Sequence, residues 1–232
     1  MSKRYHGFTL MELLTVISII GILATILMPV VGNAIDRARK LQMSKNLQQI
    51  AMAYVDFSLN HSLKELNACD TANEWAGVLS KYDILNIASL FISNEDYLSQ
   101  QSKLLLPKVI GFRNGWEWRF NQDFERYPLS IVVISGLSPH APTATTPLAY
   151  TRGLNDQTGQ WRSSEGDNGG VYGTNGGFIV FLDGHVSFYN NLTDVENQLT
   201  NYYTGEKTSR ISEAVNHGAR ALSWNGVEWS AL

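Results

Sequence analysis

Asp183 and His185, with Ser187 close behind, are side chains of the kinds that acid–base or nucleophilic catalysis uses. No G-x-S-x-G motif accompanies them, and residues two apart on a strand share a face without necessarily touching. Asp183-Gly184 also separates two apolar runs, Phe178–Leu182 and His185–Tyr189. That pattern is the strongest short hairpin signal, so the pair is read as a type I′ turn rather than as catalytic machinery. The loop 164–170 offers Glu165, Asp167 and Asn168 on a glycine-rich backbone. Such oxygen donors suit a flexible calcium loop, although the spacing is not that of an EF-hand. Cys69 is the single cysteine, which excludes an internal disulfide and a four-cysteine zinc site and fits a buried small hydrophobe. His6, His61, His140 and His217 show no metal-ligand spacing. Trp161, Trp224 and Trp229 suit either packing of the domain or a sugar- or protein-binding surface. Glu12 stands apart: it is a carboxylate at the head of a long apolar run, where a charge is costly.

The element that must hold Glu12 is plain. Residues 16–31 carry no charge, and 8–31 gives about 24 residues, enough to cross a hydrocarbon core of roughly 30 Å. A secretory signal peptide would need a small-residue cleavage site after this run, and PVVGNAIDRARK offers none. An ordinary transmembrane anchor explains the length but gives no reason for Glu12. The remainder has enough apolar and aromatic residues, 44% and 11%, to bury a core. A net charge of −3 without a Lys/Arg stripe excludes nucleic acid as the main partner.

The segment KRYHGFTLMELL, followed directly by the apolar span, resembles the processing site of type IV prepilins and type II secretion pseudopilins. In that family a short basic leader ends in Gly, the next residue is commonly Phe, and a Glu stands fifth in the mature chain. Here these are Gly7, Phe8 and Glu12. The resemblance implies that a prepilin peptidase cuts between Gly7 and Phe8 and methylates the new amino group of Phe8. It implies a cytoplasmic leader and a periplasmic head. Charge counting does not set that orientation, since Arg37, Arg39 and Lys40 after the span outweigh Lys3 and Arg4 before it. The implied partners are other pilin subunits, an inner-membrane assembly platform and the lipid bilayer. Physically, a cut after Gly7 creates an ammonium within about one helical turn of Glu12. In a filament the natural partner of Glu12 is the ammonium of a neighbouring subunit, a pairing that would set axial register.

Beyond the span, Met43, Leu47, Ile50, Tyr54 and Phe57 continue a stripe begun by Ala34, Ala38 and Leu41. One helix is therefore expected from Phe8 to about Leu59, kinked at Pro29. Thr71 and Glu74 form a capping box ahead of a helix, and a second helix is expected from about 94 to 106. Strands are expected at 116–120, 129–134 and in the pair 178–189, with a loop at 136–147 and a helical piece near 194–222. The 176–191 stretch is similar to the F-x-DGHV strand pair of bacterial pseudopilin-like proteins, whose His ten residues before the Asp is Gly173 here.

The sequence thus reads as an α+β fold: a long N-terminal helix, transmembrane and then amphipathic, packed on a small antiparallel sheet with inserted helices. Its parts are a leader (1–7), the membrane half of the stalk (8–31), the amphipathic half (32–60) and a head (61–232). It is read as a structural filament subunit, not an enzyme, that needs no cofactor unless the 164–170 loop takes calcium. The alternative is a membrane-tethered binding or adhesin protein whose head recognises a glycan or a secreted protein.

Overall fold

The computed structural model describes residues 10–231. α1 (Leu10–Asn60) is one continuous helix of 51 residues, with Pro29, the expected kink position, inside it. The chain divides into two units, one ending at Leu41 and one starting at Gln42. In the first unit the described apolar side chains of α1 are exposed, Ala34, Ala38 and Leu41 among them. From Met43 onward the stripe is buried, and Leu47, Ile50 and Phe57 are fully enclosed.

Short helices follow: α2 (Lys64–Ala68), α3 (Ala72–Lys81), α4 (Tyr97–Gln101) and α5 (Gln122–Glu125). The expected capping box is present at α3. Thr71 Oγ1 accepts from the Glu74 amide at 3.1 Å, and Glu74 reaches back to the amide of Asp70 at 2.9 Å. α3 ends in a Schellman motif, with Ile84 N–H on Leu79 O and Asp83 N–H on Ser80 O, which forces Asp83 to φ +58°. The helix expected over 94–106 is only the five residues of α4. Asp96 caps it, and the buried contacts of that same carboxylate then fix the backbone around it.

The strands are β1 (Gly111–Asn114), β2 (Glu117–Phe120), β3 (Ile131–Ser135), β4 (Pro147–Thr151), β5 (Leu154–Asn155), β6 (Gln160–Trp161), β7 (Gly177–Phe181), β8 (Val186–Tyr189), β9 (Leu199–Thr200), β10 (Lys207–Thr208), β11 (Arg220–Ser223) and β12 (Gly226–Ser230). Six of them form the main antiparallel sheet, in the order β12-β11-β3-β4-β7-β8. β3, β4 and β7 are buried along their whole length, so they read as continuous apolar runs without alternation. Pro147 opens β4, a position where its missing N–H costs no ladder bond. α3 packs on β3 and β11, and Trp75 stacks on Tyr54 of α1 at 6.2 Å.

Two further expectations are corrected. The 194–222 stretch is not helical: it holds two single 3₁₀ turns, the β9–β10 pair and the start of β11. Asn201 Oδ1 takes the amides of Tyr203 and Thr204, and Gly205 and Gly218 adopt positive φ, so local side-chain bonding wins over the helix. The Asp183-Gly184 turn exists but is not type I′. Only Gly184 has positive φ, +87°, while Gly184 N–H bonds Phe181 O and Phe181 N–H bonds His185 O. That is a three-residue loop with a glycine bulge. The amides of Leu182 and Asp183 are held by the carbonyls of Thr146 and Thr143, which sets the wider loop.

A fully buried ion pair ties the head together. Arg152 donates to Asp96 Oδ1 at 2.6 Å, to Leu129 O at 2.8 Å and to Gly169 O at 3.0 Å. Asp96 Oδ2 accepts from Ser130 Oγ at 2.7 Å and Ser99 Oγ at 3.1 Å. One guanidinium thereby joins the α4 cap, the entry to β3, the end of β4 and the 164–170 loop.

Candidate processing and assembly segment

Glu12 lies in the first turn of α1, while Gly7 and Phe8 lie outside the described residues. The polar side chains that follow it conceal their donors within the helix. Thr15 donates to Glu12 O, Ser18 to Leu14 O and Thr25 to Gly21 O, at 2.8–3.0 Å. Hydroxyls satisfied by carbonyls of the preceding turn present no unpaired donor to hydrocarbon. Leu10, Ile17, Ile22 and Ile26 are each more than half exposed, on a helix long and apolar enough to cross a membrane.

The other sequence candidates fall in the head. Asp183 and His185 do touch, with Nδ1 2.6 Å from Oδ1, and the His185 amide donates to the same carboxylate at 3.0 Å. Burial works to raise the Asp183 pKa, but the bonds from His185 outweigh it and hold the group below its usual value. The imidazole stacks flat on Phe181 at 4.2 Å, and Ser187 interacts with the Tyr189 hydroxyl. The cluster braces the turn.

Glu165, Asp167 and Asn168 are exposed. Several oxygens of their loop are already engaged: Gly169 O by Arg152, Asp167 O by Trp224 Nε1 and Asn168 Oδ1 by Asn225. A cation bound through those atoms would have to displace these bonds. Among the described residues no three His, Cys, Asp or Glu side chains gather as a metal site. Gly173, where the strand pair that this stretch resembles carries a His, adopts φ +58° against Ser164 Oγ, a conformation that disfavours a side chain. Cys69 is buried, with its thiol pKa pushed up to about 12 by desolvation and then by Glu74 and Asp70. Trp161 is buried, and Trp224 and Trp229 pack against the core. The buried Asp96–Arg152 pair gave no local sequence signal, because its members stand 56 residues apart.

Residues 2–28 match the family model described as the prokaryotic N-terminal methylation motif. No curated protein and no solved structure matches the chain. The motif implies processing by a prepilin peptidase and assembly with other pilin subunits, and with the apolar helix it supports anchoring in the inner membrane. The methylation motif, running directly into a long N-terminal apolar helix, fits a type IV pilin-like protein.

Proposed function

We propose that the chain is a structural subunit, a pseudopilin or minor pilin, of a type II secretion pseudopilus or type IV pilus-like filament, and not an enzyme. Cleavage falls between Gly7 and Phe8, with N-methylation of Phe8. The leader is cytoplasmic, the head periplasmic, and the subunit leaves the bilayer for the filament through an inner-membrane assembly platform. The observation that carries this reading is the match over residues 2–28 continuing into a helix whose apolar side chains are exposed. Within an apolar bundle, Glu12 of one subunit pairs with the Phe8 ammonium of the next, since either charge alone is expensive there.

Intact mass and N-terminal analysis of the protein from its own host test the reading. Loss of residues 1–7 with a methylated Phe8 supports it. An uncut Met1 start overturns it and favours a membrane-tethered binding protein. Glu12→Ala is expected to leave cleavage largely intact and to impair filament assembly; a normal filament yield removes the register role of Glu12.

A further inference from the structure

The C-terminal part of the head encloses a cleft of about 420 Å³, within the size range of small-molecule sites. Its walls include Asp156, Arg210 and Glu213 on a polar side, and Tyr203, His217 and Trp229 on an aromatic side. Arg210 is strung between the two carboxylates by long contacts, 3.4 Å to Asp156 and 3.3 Å to Glu213. Both acids have closer partners. Asp156 accepts from the Ser212 amide and hydroxyl at 2.8 Å each, and Glu213 accepts from Thr208 Oγ1 at 2.6 Å. The Arg210 side chain is 41% exposed, and among the described residues its two terminal nitrogens make only these long contacts. A guanidinium carries five N–H donors, so its exposed end retains donors for a further acceptor.

We propose that this cleft binds a neutral polyhydroxylated ligand, a saccharide. The exposed guanidinium end calls for acceptor oxygens, which excludes a purely cationic ligand. Two carboxylates against one guanidinium leave the cleft negative, which disfavours an anion. A sugar hydroxyl meets both conditions, since it accepts from the terminal guanidinium N–H groups and can donate to a carboxylate lone pair. Its C–H face needs an aromatic wall, and the cleft supplies one. Tyr203 and His217 lie ring to ring at 4.4 Å, with the His217 amide donating to the Tyr203 hydroxyl at 2.7 Å. Trp229 is anchored by its indole N–H on Tyr150 at 3.1 Å. This site is independent of N-terminal processing, so either reading can fail without the other.

The test uses the full chain in a zwitterionic, sugar-free detergent and saturation-transfer NMR. The probes are methyl glycosides of glucose, galactose, mannose and N-acetylglucosamine, with sodium acetate and phosphate as anionic controls. The expected result is saturable binding of at least one glycoside, weakened about tenfold or more by Arg210→Met and by Tyr203→Ala. Tyr203 is exposed and outside the carboxylate network, so its substitution keeps the test valid if the Arg210 variant unfolds. Failure of every glycoside to saturate, preference for acetate or phosphate, or binding indifferent to Tyr203→Ala overturns the proposal.

Discussion

Replacing Arg152 by Met removes the cation from a fully enclosed pair and leaves Asp96 with its three other donors, Ser130 Oγ, Ser99 Oγ and the Leu98 amide. Replacing Asp96 by Ala strands the guanidinium with only the carbonyls of Leu129 and Gly169, takes the acceptor from the Ser130 hydroxyl and leaves the Ser99 hydroxyl only its longer bond to Pro128 O. Breaking a buried pair from one side typically costs about 3–5 kcal/mol. The carboxylate left by Arg152→Met keeps more hydrogen bonds, so that variant should fall near the lower bound and Asp96→Ala near the upper. In a domain of this size each kcal/mol moves Tm by about 2–4 °C, so drops of roughly 6–20 °C are expected. The assay is thermal and urea unfolding of the purified protein followed by near-ultraviolet circular dichroism. The double variant Asp96→Ala/Arg152→Met buries no lone charge and should recover part of the loss, a coupling that a double-mutant cycle reads directly. Single variants that each cost less than about 1 kcal/mol would refute the reasoning, because they would show the pair to be solvated.

Further outcomes follow from other positions. Asp83→Gly relieves a left-handed non-glycine residue, worth up to about 1–2 kcal/mol, and gives up only an exposed ion pair with Arg113. Denaturant titration should show a small net gain in stability. Gly184→Ala meets open space, so its cost is confined to backbone strain of about 1–2 kcal/mol. Gly177→Ala instead drives a methyl group into Thr151 Oγ1 and the Trp161 ring, and should cost clearly more in the same titration. Burial raises the Glu228 pKa, more strongly than the Tyr150 hydrogen bond lowers it. The unfolded chain therefore loses this proton first, so the contribution of Glu228 to stability is full below its unfolded pKa and declines as pH rises through its folded pKa. Glu228→Gln should flatten that slope and stabilise the head at pH 7 by about 1 kcal/mol. A pH–Tm profile unchanged by the substitution would contradict this.

What the sequence disclosed depended on whether the signal was local. Thr71 and Glu74 announced the start of α3 because both partners lie within one turn. Met43, Leu47, Ile50, Tyr54 and Phe57 announced the buried face of α1 because a helix repeats every 3.6 residues. Asp183-Gly184 announced a turn but not its type, which was decided by the carbonyls of Thr143 and Thr146 some 40 residues earlier. The helical piece expected near 194–222 is absent because the side-chain bonds of Asn201 and two positive-φ glycines favour turns. The Asp96–Arg152 pair and the cleft around Arg210 were illegible for the same reason: each is assembled from segments that meet only after the sheet has formed.

The first unit of α1 gains little from its own chain. The described apolar side chains of its uncharged run are exposed, and its hydroxyls are already satisfied by its own carbonyls. Isolated helices owe most of their stability in proteins to a packed face, and this one has apolar residues all round. It therefore needs an apolar surrounding, and either a bilayer or a bundle of like helices supplies one. Moving between the two costs little in hydrophobic terms, because lipid tails and Leu or Ile side chains are similarly apolar. The difference must come from close packing and from charge. Glu12 is the one acidic group in the first turn, and its carboxylate is costly in both surroundings unless neutralised. Cleavage would place an ammonium within about one helical turn of Glu12 on its own chain in either surrounding, and a bundle adds the Phe8 ammonium of a neighbour. On this reading cleavage is a thermodynamic step as well as a trimming one, since it creates the charges that a bundle can arrange around Glu12.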